Sequence, residues 1–179
     1  MNVPENHAPA QRPDEIFDVV DASDRVIGRA TRAEVHHRGL LHRAVHIFVF
    51  DAHGNVILQK RSLAKDTCPG LLSTSCAGHV DSGENYDDAA RRELGEELGI
   101  SPEAAKNLRF LFALTPSAPL GWEFVRVYAL DYAGTLTPAP SEIDALLALS
   151  PEETDRRVHD DPAAFAASFC VVWKKFRTA

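Results

Sequence analysis

Residues 78–100 restrict what this chain can fold into more than any other stretch. They read Gly78-His79-Val80-Asp81-Ser82-Gly83-Glu84, then Asn85 to Arg91, then Arg92-Glu93-Leu94-Gly95-Glu96-Glu97-Leu98-Gly99-Ile100. Asn85 suits a helix N-cap, Asp88 is a weak capping-box partner, and Gly99 stops the run, so the spacing predicts a helix over 86–98. At 3.6 residues per turn Glu93, Glu96 and Glu97 fall at i, i+3 and i+4 and share a face. Ala90, Leu94 and Leu98 line the adjacent flank and can pack on a sheet. Three crowded carboxylates repel one another by a few tenths of a kcal/mol per pair even when exposed. A helix that serves only the fold gains nothing from that. Hard divalent cations prefer oxygen ligands and would turn the repulsion into binding. Arg92 flanks the carboxylates and can orient one or neutralise part of their charge. The loop glycines let backbone come close, so the Gly78 carbonyl can join a metal shell. The plainer alternative is a solvated acidic helix face, the usual fate of charge runs.

Those residues fill every position of the Nudix signature: glycine, five residues, glutamate, seven residues, then arginine-glutamate-aliphatic-x-glutamate-glutamate-x-glycine-aliphatic. The chain therefore resembles the Nudix hydrolases. The resemblance implies an α+β fold, an α/β/α sandwich with a mixed sheet, whose loop and helix hold magnesium or manganese. It also implies attack of water on phosphorus in a nucleoside diphosphate derivative or similar small diphosphate. Under it Glu96 and Glu97 are the principal metal ligands and Glu93 is a ligand or the group that activates water. Arg92 and Glu84 support the geometry. Physical chemistry agrees, since such ions neutralise a diphosphate, position it and acidify bound water.

Outside that box, residues 15–128 resemble the Nudix branch that includes isopentenyl diphosphate isomerase. The matching pieces are Leu41-His42-Arg43-Ala44, Arg61-Ser62-Leu63-Ala64-Lys65, Pro69-Gly70 and Ser75-Cys76-Ala77-Gly78-His79. This resemblance implies that Arg61 and Lys65 grip a diphosphate, against the plainer reading of two solvated loop cations. It makes His42, His79 and Glu123 a candidate second metal site, with His36 or His37 as a further ligand, although the spacing from His36 to His42 is off by one. Histidine favours transition metals such as zinc or manganese. Two departures favour hydrolysis. Ala77 stands where the isomerase needs a cysteine, with Cys76 one place earlier and so expected on the other strand face. The isomerase's box is also eroded, whereas this one is intact.

Along the rest of the chain, Ile16–Val20 and Val26–Ala30 flank a turn-rich group and read as a hairpin. A short helical or irregular segment follows through His36 and His37. Strands are expected at 45–50, 56–60, 108–114 and 124–132, with one bent strand or two short ones across 71–80. Residues 142–149 are ambiguous between strand and helix. Ser150-Pro151-Glu152-Glu153 is a helix start, and a last helix is expected over 161–176. Its run Phe165, Phe169, Val172, Trp173 and Phe176 reads as core packing. Cys76 reads as a small buried residue. Trp122 or Phe124 is a candidate stacking partner for a nucleobase.

The 179 residues suit one domain: a loose tail at 1–13, rich in proline, and a single domain over 14–179. A net charge of -7 is poorly matched to a polyanion, so no nucleic-acid partner is expected. No stretch approaches the ~20 apolar residues of a membrane span, and the N-terminus has no secretory pattern, so a cytoplasmic protein is expected. Three cysteines without C-x-x-C spacing argue against a disulfide framework or a structural zinc site. The expected partner is a small-molecule diphosphate, with a homodimer left open. Three function classes follow: a pyrophosphohydrolase, an isoprenoid diphosphate isomerase, and a ligand sensor without turnover.

Overall fold

A computed structural model describes residues 12–179. The tail read at 1–13 lies outside these, apart from Arg12 and Pro13. Among the described residues there are nine strands: β1 (Ile16–Val20), β2 (Val26–Thr31), β3 (His42–Phe50), β4 (Val56–Arg61), β5 (Leu72–Ser73), β6 (Cys76–His79), β7 (Arg109–Leu114), β8 (Glu123–Asp131) and β9 (Ile143–Leu149). The helices are α1 (Arg32–Arg38), α2 (Tyr86–Leu98), α3 (Pro102–Ala105), α4 (Pro151–Asp160) and α5 (Ala167–Thr178). No helix among the described residues is long and apolar enough to cross a membrane.

The main sheet runs β5-β4-β3-β8-β7, with β6 also on β3 and β9 on β4. The pair β3–β8 is parallel from His42↔Glu123 to Phe50↔Asp131, and the other pairs are antiparallel, so the sheet is mixed. Strand β3 is long enough to take β6 along Ala44–Ile47 and β4 at Val49 and Phe50. The chain can therefore leave the sheet between them and return carrying the glycine loop.

Alternation along β3 builds the two layers. Val45, Ile47 and Val49 join the core under α2, with Leu94 and Leu98 fully buried against them. Ala44 and Phe48 join the opposite core under α5, with Phe165, Phe169, Val172 and Trp173. A helix on each face of a mixed sheet is the expected α/β/α sandwich. Each fully buried leucine stabilises it by roughly 1.5–3 kcal/mol. The C-terminal aromatic run is core, with Phe165 stacked on Phe169 at 5.2 Å.

Three local outcomes differ from the sequence reading or complete it. Residues 143–149 are rich in alanine and leucine, which suit a helix, yet pairing with β4 from Val56↔Leu149 to Arg61↔Ile143 makes them a strand. The last helix begins at Ala167 rather than near 161, because Pro162–Ala164 form a 3-10 turn and Phe165 is extended (φ -117°, ψ 148°). Helix α3 was not anticipated; Ser101 caps it by accepting from Ala104 N, and Pro102 opens it.

The small hairpin β1–β2 docks on the glycine loop through a bridge between Phe17 and Asp81. Asp18 fixes this contact by accepting from Ser82 Oγ at 2.7 Å and Gly83 N at 3.1 Å.

Candidate active site

Helix α2 has the predicted bounds. Asn85 caps it by accepting from Asp88 N, and Gly99 closes it in a left-handed conformation. Its carboxylates meet strand β6. Gly78 lies directly beneath Glu93, and a Cβ there would collide with the Glu93 carboxylate. Glycine is required at this point by close approach, not by a turn.

Arg92 organises the acidic side chains. It donates to Glu93 Oε1 at 2.7 Å, to Glu96 Oε2 at 3.0 Å and to both oxygens of Glu84 at 2.9 and 3.1 Å. It also donates to the His79 carbonyl at 3.0 Å. Burial works against its charge, but Glu84 and Glu93 more than compensate and raise its pKa. Glu96 is largely exposed, whereas Glu93 and Glu97 are buried. Burial, and for Glu93 the neighbouring Glu97, pushes both carboxyls above the usual carboxylate range. Oxygen ligands crowded at such a cost fit a hard divalent cation.

The groups that support these carboxylates from behind were not read from the sequence. Gln59 Nε2 and Ala77 N each donate to Glu97 Oε2 at 3.3 Å. Lys65, buried, pairs with Glu142 and lies 3.9 Å from Glu97 Oε1. Arg61 is also buried and donates to the Thr67 carbonyl at 2.9 and 3.0 Å. Neither cation is a solvated loop residue, and both line the cavity described next.

That cavity has a volume of about 380 Å³. Glu93, Glu96, Glu97 and Arg92 border it, together with Arg61, Lys65, Glu142, His46, His79 and Glu123. Ala77 and Gly78 form part of its wall. Cys76 is fully buried in the core under α2, and burial followed by the nearby Glu97 raises its thiol pKa well above normal. Trp122 and Phe124 do not line the cavity. Trp122 is half exposed with φ 65°, and Phe124 packs against the α2 core.

His46 is a residue the sequence reading passed over. It is buried on β3, and Thr74 Oγ1, whose own proton goes to the Cys76 carbonyl, accepts from its Nδ1 at 3.0 Å. Burial lowers its pKa to about 4. A lone histidine in an apolar run of β3 gives no local signal of this.

The histidines assemble at a second place. His36 from α1, His42 from β3 and His79 from β6 bring ring nitrogens within 4.8 Å of one another. A capping box between Thr31 and Glu34 and left-handed Gly39 fix α1, so His36 and not His37 joins the group. Glu123 on β8 faces two of them, with Oε1 3.4 Å from His42 Nε2 and 3.2 Å from His79 Nε2. Burial alone would raise the Glu123 pKa, but the two histidines that face it hold it below the carboxylate range. Phe17 stacks on His79 with centroids 4.6 Å apart. Arg32, buried, donates to His79 Nδ1 at 3.0 Å and to Asp66.

Comparison with known proteins follows the same lines. The NUDIX domain model matches residues 40–169. An isopentenyl-diphosphate Delta-isomerase of Burkholderia multivorans is 38% identical over 165 residues, covering 89% of this chain and 92% of that protein. A second isopentenyl-diphosphate Delta-isomerase, from Photorhabdus laumondii, is 43% identical over 116 residues, and the match spans 64% of this chain and 66% of that protein. An uncharacterized Nudix hydrolase of Streptomyces coelicolor is 38% identical over 130 residues, covering 73% of this chain and 71% of that one. The crystal structure of a Deinococcus radiodurans protein superposes with a TM-score of 0.78 at 29% identity, covering 90% of this chain and 98% of that one.

Proposed function

The chain belongs to the Nudix family, in the branch that resembles the isopentenyl-diphosphate isomerases, and from that premise we propose that it is a divalent-metal-dependent hydrolase. Its substrate is a nucleoside diphosphate derivative or a similar small diphosphate, cleaved by attack of water on phosphorus. The observation that carries this reading is the intact carboxylate face: Glu93, close over Gly78, lines with Glu96 and Glu97 the same cavity as Arg61 and Lys65.

Glu96 and Glu97, with Glu93 and the Gly78 carbonyl, would hold magnesium or manganese, which when bound would neutralise the diphosphate and acidify water. Glu93, buried beside Glu97, would orient or deprotonate the attacking water. Arg92 keeps Glu93 and Glu96 in register, and Glu84 anchors Arg92 on its far side. Arg61 and Lys65, which line the same cavity, would supply positive charge to the diphosphate.

Isomerisation is the second reading. The names of the relatives favour it, as does the gathering of three histidines, two of which face Glu123. Proton transfer at carbon needs a thiol on the cavity wall, by resemblance to that enzyme. Here the matching position is Ala77 and Cys76 is buried, and the thiol that lines the cavity is the half-buried Cys68 from the loop after β4.

Phosphorus NMR with magnesium or manganese separates the readings, using nucleoside di- and triphosphates, nucleotide sugars, dinucleotide cofactors and isopentenyl diphosphate. New monophosphate signals are expected. Proton-detected conversion of isopentenyl diphosphate with its diphosphate intact would replace hydrolysis by isomerisation.

A further inference from the structure

The histidine cluster has the residue types of a metal site, and its inner spacing suits one. Both Nε2 atoms lie 3.2–3.4 Å from the same Glu123 oxygen, a separation compatible with a shared proton or with a shared ion. What distinguishes the two is the outer nitrogen of each ring. A histidine that ligates through one nitrogen must carry its proton on the other, and it normally donates that proton to a carbonyl or carboxylate.

His42 follows that rule. A carbonyl can only accept, so the 2.9 Å contact from His42 Nδ1 to the Leu40 carbonyl places its proton on Nδ1. Its Nε2 is then bare, buried and without a hydrogen bond.

His79 breaks the rule. Its outer partner is Arg32 Nη1 at 3.0 Å, and a guanidinium has donors only. The His79 Nδ1 must accept, so its single proton sits on Nε2 and points to Glu123 Oε1. Arg32 is itself fixed, by Asp66 at 3.1 Å and by Glu15 at 3.9 Å. The His79 ring lies near-parallel to both Phe17 and His42.

We infer that Arg32 is a positioning residue that locks His79 as a hydrogen-bond donor to Glu123, making Arg32–His79–Glu123 a proton-ordered relay in place of a three-histidine metal site. The relay holds one Glu123 oxygen and orients the carboxylate that borders the cavity. His42 Nε2 is left as a nitrogen free to accept. The inference rests on the cluster's own contacts and stands whether the cavity hydrolyses or isomerises its substrate.

Long-range proton–nitrogen NMR of the full chain labelled at histidine tests it directly, because the two neutral tautomers give different nitrogen shifts. Signals are assigned by their loss in His42→Gln and His79→Gln. Opposite tautomers are expected: protonated Nε2 for His79 and protonated Nδ1 for His42. Equimolar zinc should leave the His79 pattern unchanged. Arg32→Lys, still a pure donor, should keep the pattern. Arg32→Met should move His79 toward the other tautomer and tighten zinc binding at least tenfold. A protonated Nδ1 on His79 in the unsubstituted protein would overturn the inference. So would loss of its Nε2 proton to equimolar zinc, and both are read without any variant at Arg32.

Discussion

The cavity has two clusters that look alike as lists of residues and differ in what surrounds them. On the acidic side, Glu93, Glu96 and Glu97 come from one helix, and Arg92, a cation that must be matched by negative charge, ties the first two. On the histidine side, the groups come from α1, β3, β6 and β8 and are tied by Arg32, which presses a donor against a ring nitrogen. An arginine beside carboxylates leaves their remaining lone pairs available to an ion. An arginine on an imidazole uses up the electron pair that sets its tautomer. The same residue type therefore prepares one cluster for a cation and the other for a proton.

The contrast is most exposed to failure at Glu97, which is buried among Gln59, Lys65 and the Ala77 amide. Glu97→Gln should lower turnover roughly 1000-fold, about 4 kcal/mol of transition-state stabilisation, while the melting curve stays close to that of the parent. Near-normal phosphate release would remove the acidic side from the chemistry.

Gly78→Ala tests the close approach under Glu93 without touching a charge. Displacing that carboxylate should cost about 100-fold in rate and weaken manganese binding seen by electron paramagnetic resonance. Unchanged manganese affinity would mean that Gly78 matters only for packing.

His46 carries the contrast over to stability. Its pKa is lowered to about 4 in the fold against 6.5 for an unperturbed histidine, so between these values the unfolded chain binds more protons. Stability is thus lost as pH falls from 6.5 toward 4. Urea unfolding at pH 7 and pH 5 should show the parent losing about 2 kcal/mol more than His46→Gln. Parallel losses would mean that His46 is protonated inside the fold.

The smallest effect is expected on the histidine side. Glu123→Gln should reduce hydrolysis by less than tenfold, under about 1.4 kcal/mol. A loss matching that of Glu97→Gln would make the two clusters one catalytic unit and end the distinction.

Much of this was legible along the chain where contacts are local. The bounds of α2, its cap at Asn85 and the shared face of three glutamates depend on residues three and four apart, and the structure reproduces them. The sandwich follows from that helix and from the alternation along β3. Other parts were not legible. Neither ring of His36-His37 carries a sign of which turns inward until α1 is capped and docked. Residues 143–149 have no strand signature of their own, and β4 supplies the pairing.

The acidic face was settled by spacing along the chain, because the pitch of a helix converts spacing into geometry without help from the rest of the molecule. Packing between elements settled that Lys65 pairs with Glu142, that Gln59 reaches Glu97, that Cys76 turns away from the cavity and that Arg32 meets His79. Each of those is a contact between elements far apart in sequence. Sheet order and strand register set such contacts, and the residues that meet leave no pattern in the chain.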